Sequence, residues 1–370
     1  MAPVAAELAR RPDIDASMCV TAQHRDLVDQ ELRLFGIVPD YDLDVMRADQ
    51  TLSQVAARVL ARLEPVMEEV RPDWLVVEGD TTTVIAAAFA AFNMGVRVGH
   101  VEAGLRTFDK QNPFPEEVNR RMASIVADLH FAPTESARQN LLREGVAPES
   151  IRVTGNPVVD ALYEIARRPY DWDAGALRTI PRERRLILLT AHRRENWGDG
   201  LESICRAART IAASVENVEV VFPVHPNPVV RRTVSRILGD RPHVTLLPAL
   251  EYHALVQLLR ASELVLTDSG GLQEEAPVFG KPVLVLRDET ERPEALEAGI
   301  ARLVGTDRRR IEAEAIRLLT DQAAYAEMAH AVSPYGDGKA ARRIVDALVG
   351  SWTSADDEPA PPLRLVGGVG

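Results

Sequence analysis

Cysteine is nearly absent: in 370 residues only Cys19 and Cys205 occur, far apart and without a C-x-x-C neighbour. That spacing argues against a disulfide framework and a thiolate zinc site, and it fits a reducing cytoplasm. Long apolar runs are missing as well. The longest, Val84 to Phe92, falls well short of the roughly 20 residues that cross a bilayer. The opening M-A-P-V-A-A-E-L-A-R-R has no basic region followed by an apolar stretch, so no signal peptide is expected. Positive charge is in deficit. With 43 Lys and Arg against 55 Asp and Glu the net charge is −12, which disfavours nucleic acid and anionic membrane as partners. No G-x-G-x-x-G follows a strand and no G-x-x-x-x-G-K-[ST] occurs, so NAD chemistry and Walker-type ATP hydrolysis lose support. H-E-x-x-H, EF-hand and G-x-S-x-G signatures are absent too, and the scattered histidines show no metal-ligand spacing. Neither a metal nor a cofactor is expected.

What remains is a globular composition, 46% hydrophobic and 26% charged, at a length that suits two domains. Short apolar segments alternate with helical patterns at 74–77, 96–101, 129–132 and 151–154, then at 186–190, 218–224, 244–247, 264–267, 283–286 and 301–304. These runs are continuous Val, Leu and Ile rather than alternating, as burial on both faces of a parallel sheet requires. The pattern predicts an α/β protein of two doubly wound, Rossmann-like domains. The opening reads as the second half of an amphipathic helix, with Val4, Ala5 and Leu8 on one face and Glu7, Arg10 and Arg11 on the other. Residues 167–185, rich in arginine and containing proline, read as a linker, which gives a first domain of 1–168 and a second of 169–335. A last helix is expected over 338–350, and S-A-D-D-E-P-A-P-P with a glycine-rich end makes 351–370 an expected disordered tail. In such a fold ligands sit at the carboxyl ends of the strands, here in an expected cleft between the domains.

The chemistry-bearing residues follow those strands. E-G-D-T-T-T puts Asp80 at a strand-to-helix turn, where it is either the N-cap of a helix beginning near Thr82 or a functional carboxylate. G-H-V-E-A-G-L-R-T puts Glu102 and Arg106 at the same sheet edge. P-E-E-V-N-R-R starts a helix with Glu116 and Glu117, which alone would merely suit the helix dipole. Three separate carboxylates converging on one cleft are the stronger signal. In the second half, A-H-R-R-E-N offers His192 with Arg193 and Arg194, a cationic cluster suited to a diphosphate. His225, in H-P-N-P, stands at another strand end, where a structural and a functional role are both open. Ser269, Gly270 and Gly271 form a small-residue turn at a helix N-terminus, a ready anion site, and Arg292 follows the next strand.

In this order the motifs resemble the non-hydrolysing UDP-N-acetylglucosamine 2-epimerases, which interconvert UDP-GlcNAc and UDP-ManNAc. The resemblance runs from Met1 to about Leu348 through T-A-Q-H-R, E-G-D-T-T-T, G-H-V-E-A-G-L-R-T, P-E-E, T-G-N, H-R-R-E-N, P-V-H-P-N, T-D-S-G-G-L-Q-E-E, T-E-R-P-E and P-Y-G-D-G. It implies the glycosyltransferase-B fold, with the C-terminal helix crossing back onto the first domain, and a homodimer supplying cell-envelope polysaccharide. It implies catalytic roles for Asp80, Glu102, Glu116 and His192. Ser269, Gly270, Gly271, Glu275 and Arg292 would bind uridine diphosphate, with Glu275 on the ribose hydroxyls and His225 nearby; Arg106 is grouped with these binding residues. The sugar's carbon-2 hydrogen is not beside a carbonyl, so departure of UDP must acidify it. Elimination to a glycal and re-addition therefore fits better than transient oxidation by NAD. Two faces of the sugar need two differently protonated carboxyl groups.

The chain also departs from that pattern. Members of the family begin with a strand and a G-T-R-P-E-A-x-K segment ahead of the position matching Met1, so a late start codon, a missing central strand and weaker UDP affinity are expected. Gln23, His24 and Gln50 match a site where regulated members bind a second, activating UDP-GlcNAc. Asp26 and Asp49 stand where such members carry glutamine and arginine, and carboxylates repel a diphosphate, so weak or absent activation is expected. The alternatives are a hydrolysing relative releasing free ManNAc, an epimerase of a modified UDP-sugar, a glycosyltransferase of the same fold, and a non-catalytic nucleotide-sugar sensor.

Overall fold

Each of the ten short apolar segments from 74–77 to 301–304 forms a strand, since Val, Leu and Ile without alternation can be buried on both faces. The structure is a computed structural model that describes residues 1–21, 25–47, 49–290, 292–330, 333–353 and 363–369. The strands in chain order are β1 (Ile14–Val20), β2 (Tyr41–Asp42), β3 (Trp74–Glu78), β4 (Arg97–Val101), β5 (Leu129–Ala132), β6 (Ile151–Val153), β7 (Arg185–Thr190), β8 (Val218–Val224), β9 (Val244–Pro248), β10 (Ser262–Thr267), β11 (Val283–Val285), β12 (Ala301–Leu303) and β13 (Leu363–Val369). The chain divides into two compact units, Met1–Ala161 with Tyr335–Gly370, and Leu162–Pro334.

The first unit holds a seven-stranded parallel sheet of order β2-β1-β13-β3-β4-β5-β6. The opening helix is Ala2–Leu8 and buries Val4 and Leu8. Helix Ala340–Thr353 packs Ile344, Val345 and Leu348 with Trp74, Val76 and Phe131 in this unit's core. Asp160 accepts from the backbone N–H groups of Ala340 and Ala341 at its start. The second unit holds a six-stranded parallel sheet of order β12-β11-β10-β7-β8-β9, with Leu189, Phe222 and Leu266 in its core.

Two expectations are corrected. The division falls at Ala161 and Leu162, inside helix Pro157–Arg167, because that helix is unbroken. The segment 167–185 belongs to the second unit and buries Leu177 and Ile180. The expected disordered tail contains β13, which pairs with β1 on one side and β3 on the other. Leu365 and Val366, both fully buried, enter the cores on opposite faces of the sheet. A short run rich in glycine behind prolines has little strand propensity of its own, and burial between two partners supplies what propensity lacks. The position is central, between β1 and β3. Among the described residues no helix is long and apolar enough to cross a membrane.

Candidate active site

The first unit builds its site at the carboxyl ends of β3 and β4. After β3 the chain turns through Gly79, at a φ of 84° that suits glycine. Thr81, not Asp80, is the N-cap of the following helix Thr82–Asn93, its hydroxyl accepting from Val84 N–H. The Asp80 carboxylate is thereby free of capping. It is held by Arg120, whose Nε donates to Oδ2 at 2.8 Å and whose Nη2 lies 2.7 Å from the same atom. Asn119 Nδ2 donates to the Asp80 carbonyl at 2.8 Å. Both residues lie on helix Glu116–Val126, so its first turn, which Glu116 opens, is docked on the Asp80 turn.

Glu102 follows β4 in the left-handed region, at φ 63°, where a non-glycine residue carries strain of the kind that collects at functional sites. Its Oε2 lies 3.6 Å from where a Cβ on Gly79 would sit, which brings it beside the Asp80 turn. Gly104 is required for a different reason: a Cβ there would lie 2.2 Å from the Ala137 carbonyl oxygen. Beneath the turn, His100 is fully buried on β4 and donates from Nε2 to the Gly79 carbonyl at 2.8 Å. Burial pushes the His100 pKa down to about 4, so the ring is neutral. Glu117, also buried, accepts from the backbone of Thr107 and Phe108 and from Arg120 Nη1, fixing the loop after Glu102.

The second unit gathers its residues at the ends of β7, β8, β10 and β11. Asp268, fully buried after β10, accepts at Oδ2 from His192 N–H (2.9 Å), Arg193 N–H (2.8 Å) and Asn196 Nδ2 (3.0 Å). The H-R-R-E-N and T-D-S-G-G motifs are thus two halves of one structure. The His192 ring stacks on His225, centroids 5.4 Å apart with 12° between planes. Burial lowers the His192 pKa most, and nearby His225 and Arg193 act the same way, while Asp268 opposes them. Ser269 stands at the N-cap of helix Gly270–Val278 but makes no side-chain cap bond, so helix N–H groups are left for an anion. Glu275 accepts from Tyr252 OH at 3.0 Å, and Arg292 pairs with the buried Glu274.

Arg106 is a correction: its guanidinium is buried, paired with Glu144 at 2.7 Å and bonded to Ser124 and the Leu105 carbonyl, so it braces the fold and is not open to a ligand. Gln23 and His24 lie outside the described residues, as does Glu291 of the T-E-R-P-E motif. Gln50 accepts from Arg47 N–H and Arg58. Sequence reasoning missed His100, Arg120, Asn196 and Asp268. All four stand inside motifs it had singled out, Arg120 within P-E-E-V-N-R-R, but their partners are distant in sequence. Both cysteines are free and buried, with thiol pKa values pushed up to about 12, which makes them unreactive. Among the described residues no cluster of His, Cys, Asp and Glu could hold a metal ion.

Two doubly wound parallel units, with a carboxylate turn in one and a helix N-terminus without a side-chain cap in the other, define an enzyme of the glycosyltransferase-B fold class. The family described as UDP-N-acetylglucosamine 2-epimerase matches residues 6–349, and the chain belongs to it. It is 50% identical over 354 residues to the UDP-N-acetylglucosamine 2-epimerase of Escherichia coli K12, covering 94% of each chain. With the Bacillus subtilis enzyme of the same name it shares 48% over 359 residues, 97% of this chain and 94% of that one. A Neisseria meningitidis UDP-GlcNAc 2-epimerase bound to UDP-GlcNAc superposes with a TM-score of 0.87 at 42% identity, covering 95% of this chain and 96% of the other.

Proposed function

We propose that the chain converts UDP-N-acetylglucosamine reversibly to UDP-N-acetylmannosamine, eliminating UDP and adding it back. The carrying observation is the Asp80 turn, where Asp80, the Glu102 carboxylate and the helix turn opened by Glu116 are held together in a member of this epimerase family. One carboxylate takes the carbon-2 proton as the bond from carbon 1 to the diphosphate oxygen breaks. The electron pair leaves with UDP, and a carbon 1–carbon 2 double bond forms. His192, Arg292 and the Ser269–Gly271 turn stabilise the departing diphosphate, His225 stands beside them, and Glu275 holds the ribose. A second carboxyl group then delivers a proton to the opposite face of carbon 2 as UDP re-adds.

Proton NMR in deuterated water with UDP-GlcNAc tests this directly. Deuterium at carbon 2 together with UDP-ManNAc is the expected result; release of free ManNAc and UDP would mark a hydrolase, and no exchange would reopen the substrate. We also read the enzyme as a cytoplasmic homodimer. Free buried thiols suit a reducing compartment. Helices Thr82–Asn93 and Glu116–Val126 expose Phe89, Phe92, Met122 and Ile125, an apolar surface that a second copy would cover.

A further inference from the structure

Asp268 does more in the structure than anchor a loop. Its Oδ2 is saturated by three N–H donors, His192 N–H, Arg193 N–H and Asn196 Nδ2, and these wrap the segment after β7 around it. Its Oδ1 is buried without a hydrogen-bond partner among the described residues, and 3.4 Å away lies His192 Nδ1. A carboxylate oxygen sealed from water beside one imidazole nitrogen accepts only if that nitrogen carries the proton. The opposite face of the ring arrangement is set by His225, stacked nearly parallel and itself accepting at Nδ1 from Asn227 N–H.

We propose that Asp268 is the positioning residue for His192: its Oδ1 takes the Nδ1–H bond, fixes the ring, and supports the imidazolium whose Nε2–H meets the departing diphosphate. The inference rests on the role given to His192 above. The groups acting on the ring come from three elements: Asp268 after β10 favours its charge, while His225 after β8 and Arg193 beside it oppose that charge. Without Asp268 only the opposing groups remain, and the ring is left neutral with its nitrogens unassigned.

The test is Asp268→Asn, which keeps an oxygen for the three N–H donors but turns an amide N–H toward His192 Nδ1. Nδ1 must then be the acceptor, so the proton moves to Nε2 and the charged ring loses its support. Nitrogen-15 NMR of histidine-labelled protein, with the His192 signal assigned by its loss in His192→Gln, reads the tautomer whether or not the chain turns over substrate. The expected result is an Nδ1–H ring in the wild type and an Nε2–H ring of lower pKa in Asp268→Asn. In the deuterium-exchange assay kcat should fall about a hundredfold with KM little changed, and the alkaline limb of the pH profile, where the imidazolium loses its proton, should move to lower pH. In the His192→Gln background Asp268→Asn should cost little more, since the two act as a unit. An Nε2–H ring in the wild type, an unchanged tautomer in Asp268→Asn, or losses that add in the double variant would overturn the proposal. If the wild type shows the Nδ1–H ring but exchanges no deuterium, the positioning stands and the substrate reading fails.

Discussion

At the scale of single residues, the site is held from below by groups that never meet a ligand. His100 donates to the Gly79 carbonyl from a fully buried position, and its pKa is lowered to about 4, chiefly by burial. In the unfolded chain the same ring titrates near 6.5, so between these values the unfolded state binds a proton that the folded state does not. Stability from this residue is therefore complete above about pH 6.5 and is lost as pH falls toward 4, by on the order of 2–3 kcal/mol. Denaturant unfolding at pH 7 and at pH 4.5 should show that loss, and His100→Gln should flatten it. Equal slopes in the two proteins would remove His100 from the account. The same scale explains Arg106: the motif placed it at the sheet edge, but nothing in G-L-R-T announces that Glu144, on the far side of a helix, takes its charge.

At the scale of elements, helix Glu116–Val126 works with two faces. Asn119 and Arg120 turn inward and fasten the Asp80 turn, whereas Val118, Met122 and Ile125 recur at helical spacing on the exposed side. Ile125 is 82% exposed, unusual for a large apolar side chain at the centre of such a patch. The proposed dimer predicts that the wild type sediments at twice the chain mass and that Ile125→Glu, with secondary structure intact, sediments as a monomer; a monomeric wild type would overturn the dimer, and a dimeric Ile125→Glu would overturn this surface. The sequence announced this helix through P-E-E-V-N-R-R, and its strands through uninterrupted apolar runs, since those signals are local. Which helix face would meet Asp80 was not legible, because that depends on a partner some forty positions away.

At the scale of the whole molecule, β13 closes the gap between β1 and β3, and β3 carries the Asp80 turn on its carboxyl end. A chain ending before Leu363 should therefore melt well below the full-length protein and lose epimerisation with it. Leu365→Ala, a milder change at a fully buried site, should cost about 2–5 kcal/mol. Thermal unfolding measures both, and a truncated chain with unchanged Tm would remove β13 from the sheet. The amino-acid order alone determined the class: continuous Val, Leu and Ile runs impose buried parallel strands, and the residues at their ends mark the chemistry. Tertiary structure alone decided the rest. Whether a glycine-rich terminal segment becomes a central strand, whether Arg106 meets a ligand or Glu144, and which carboxylate stands behind His192 all depend on contacts between residues distant in sequence. Local propensity carries no record of those contacts, because their energy exists only once both partners are buried together.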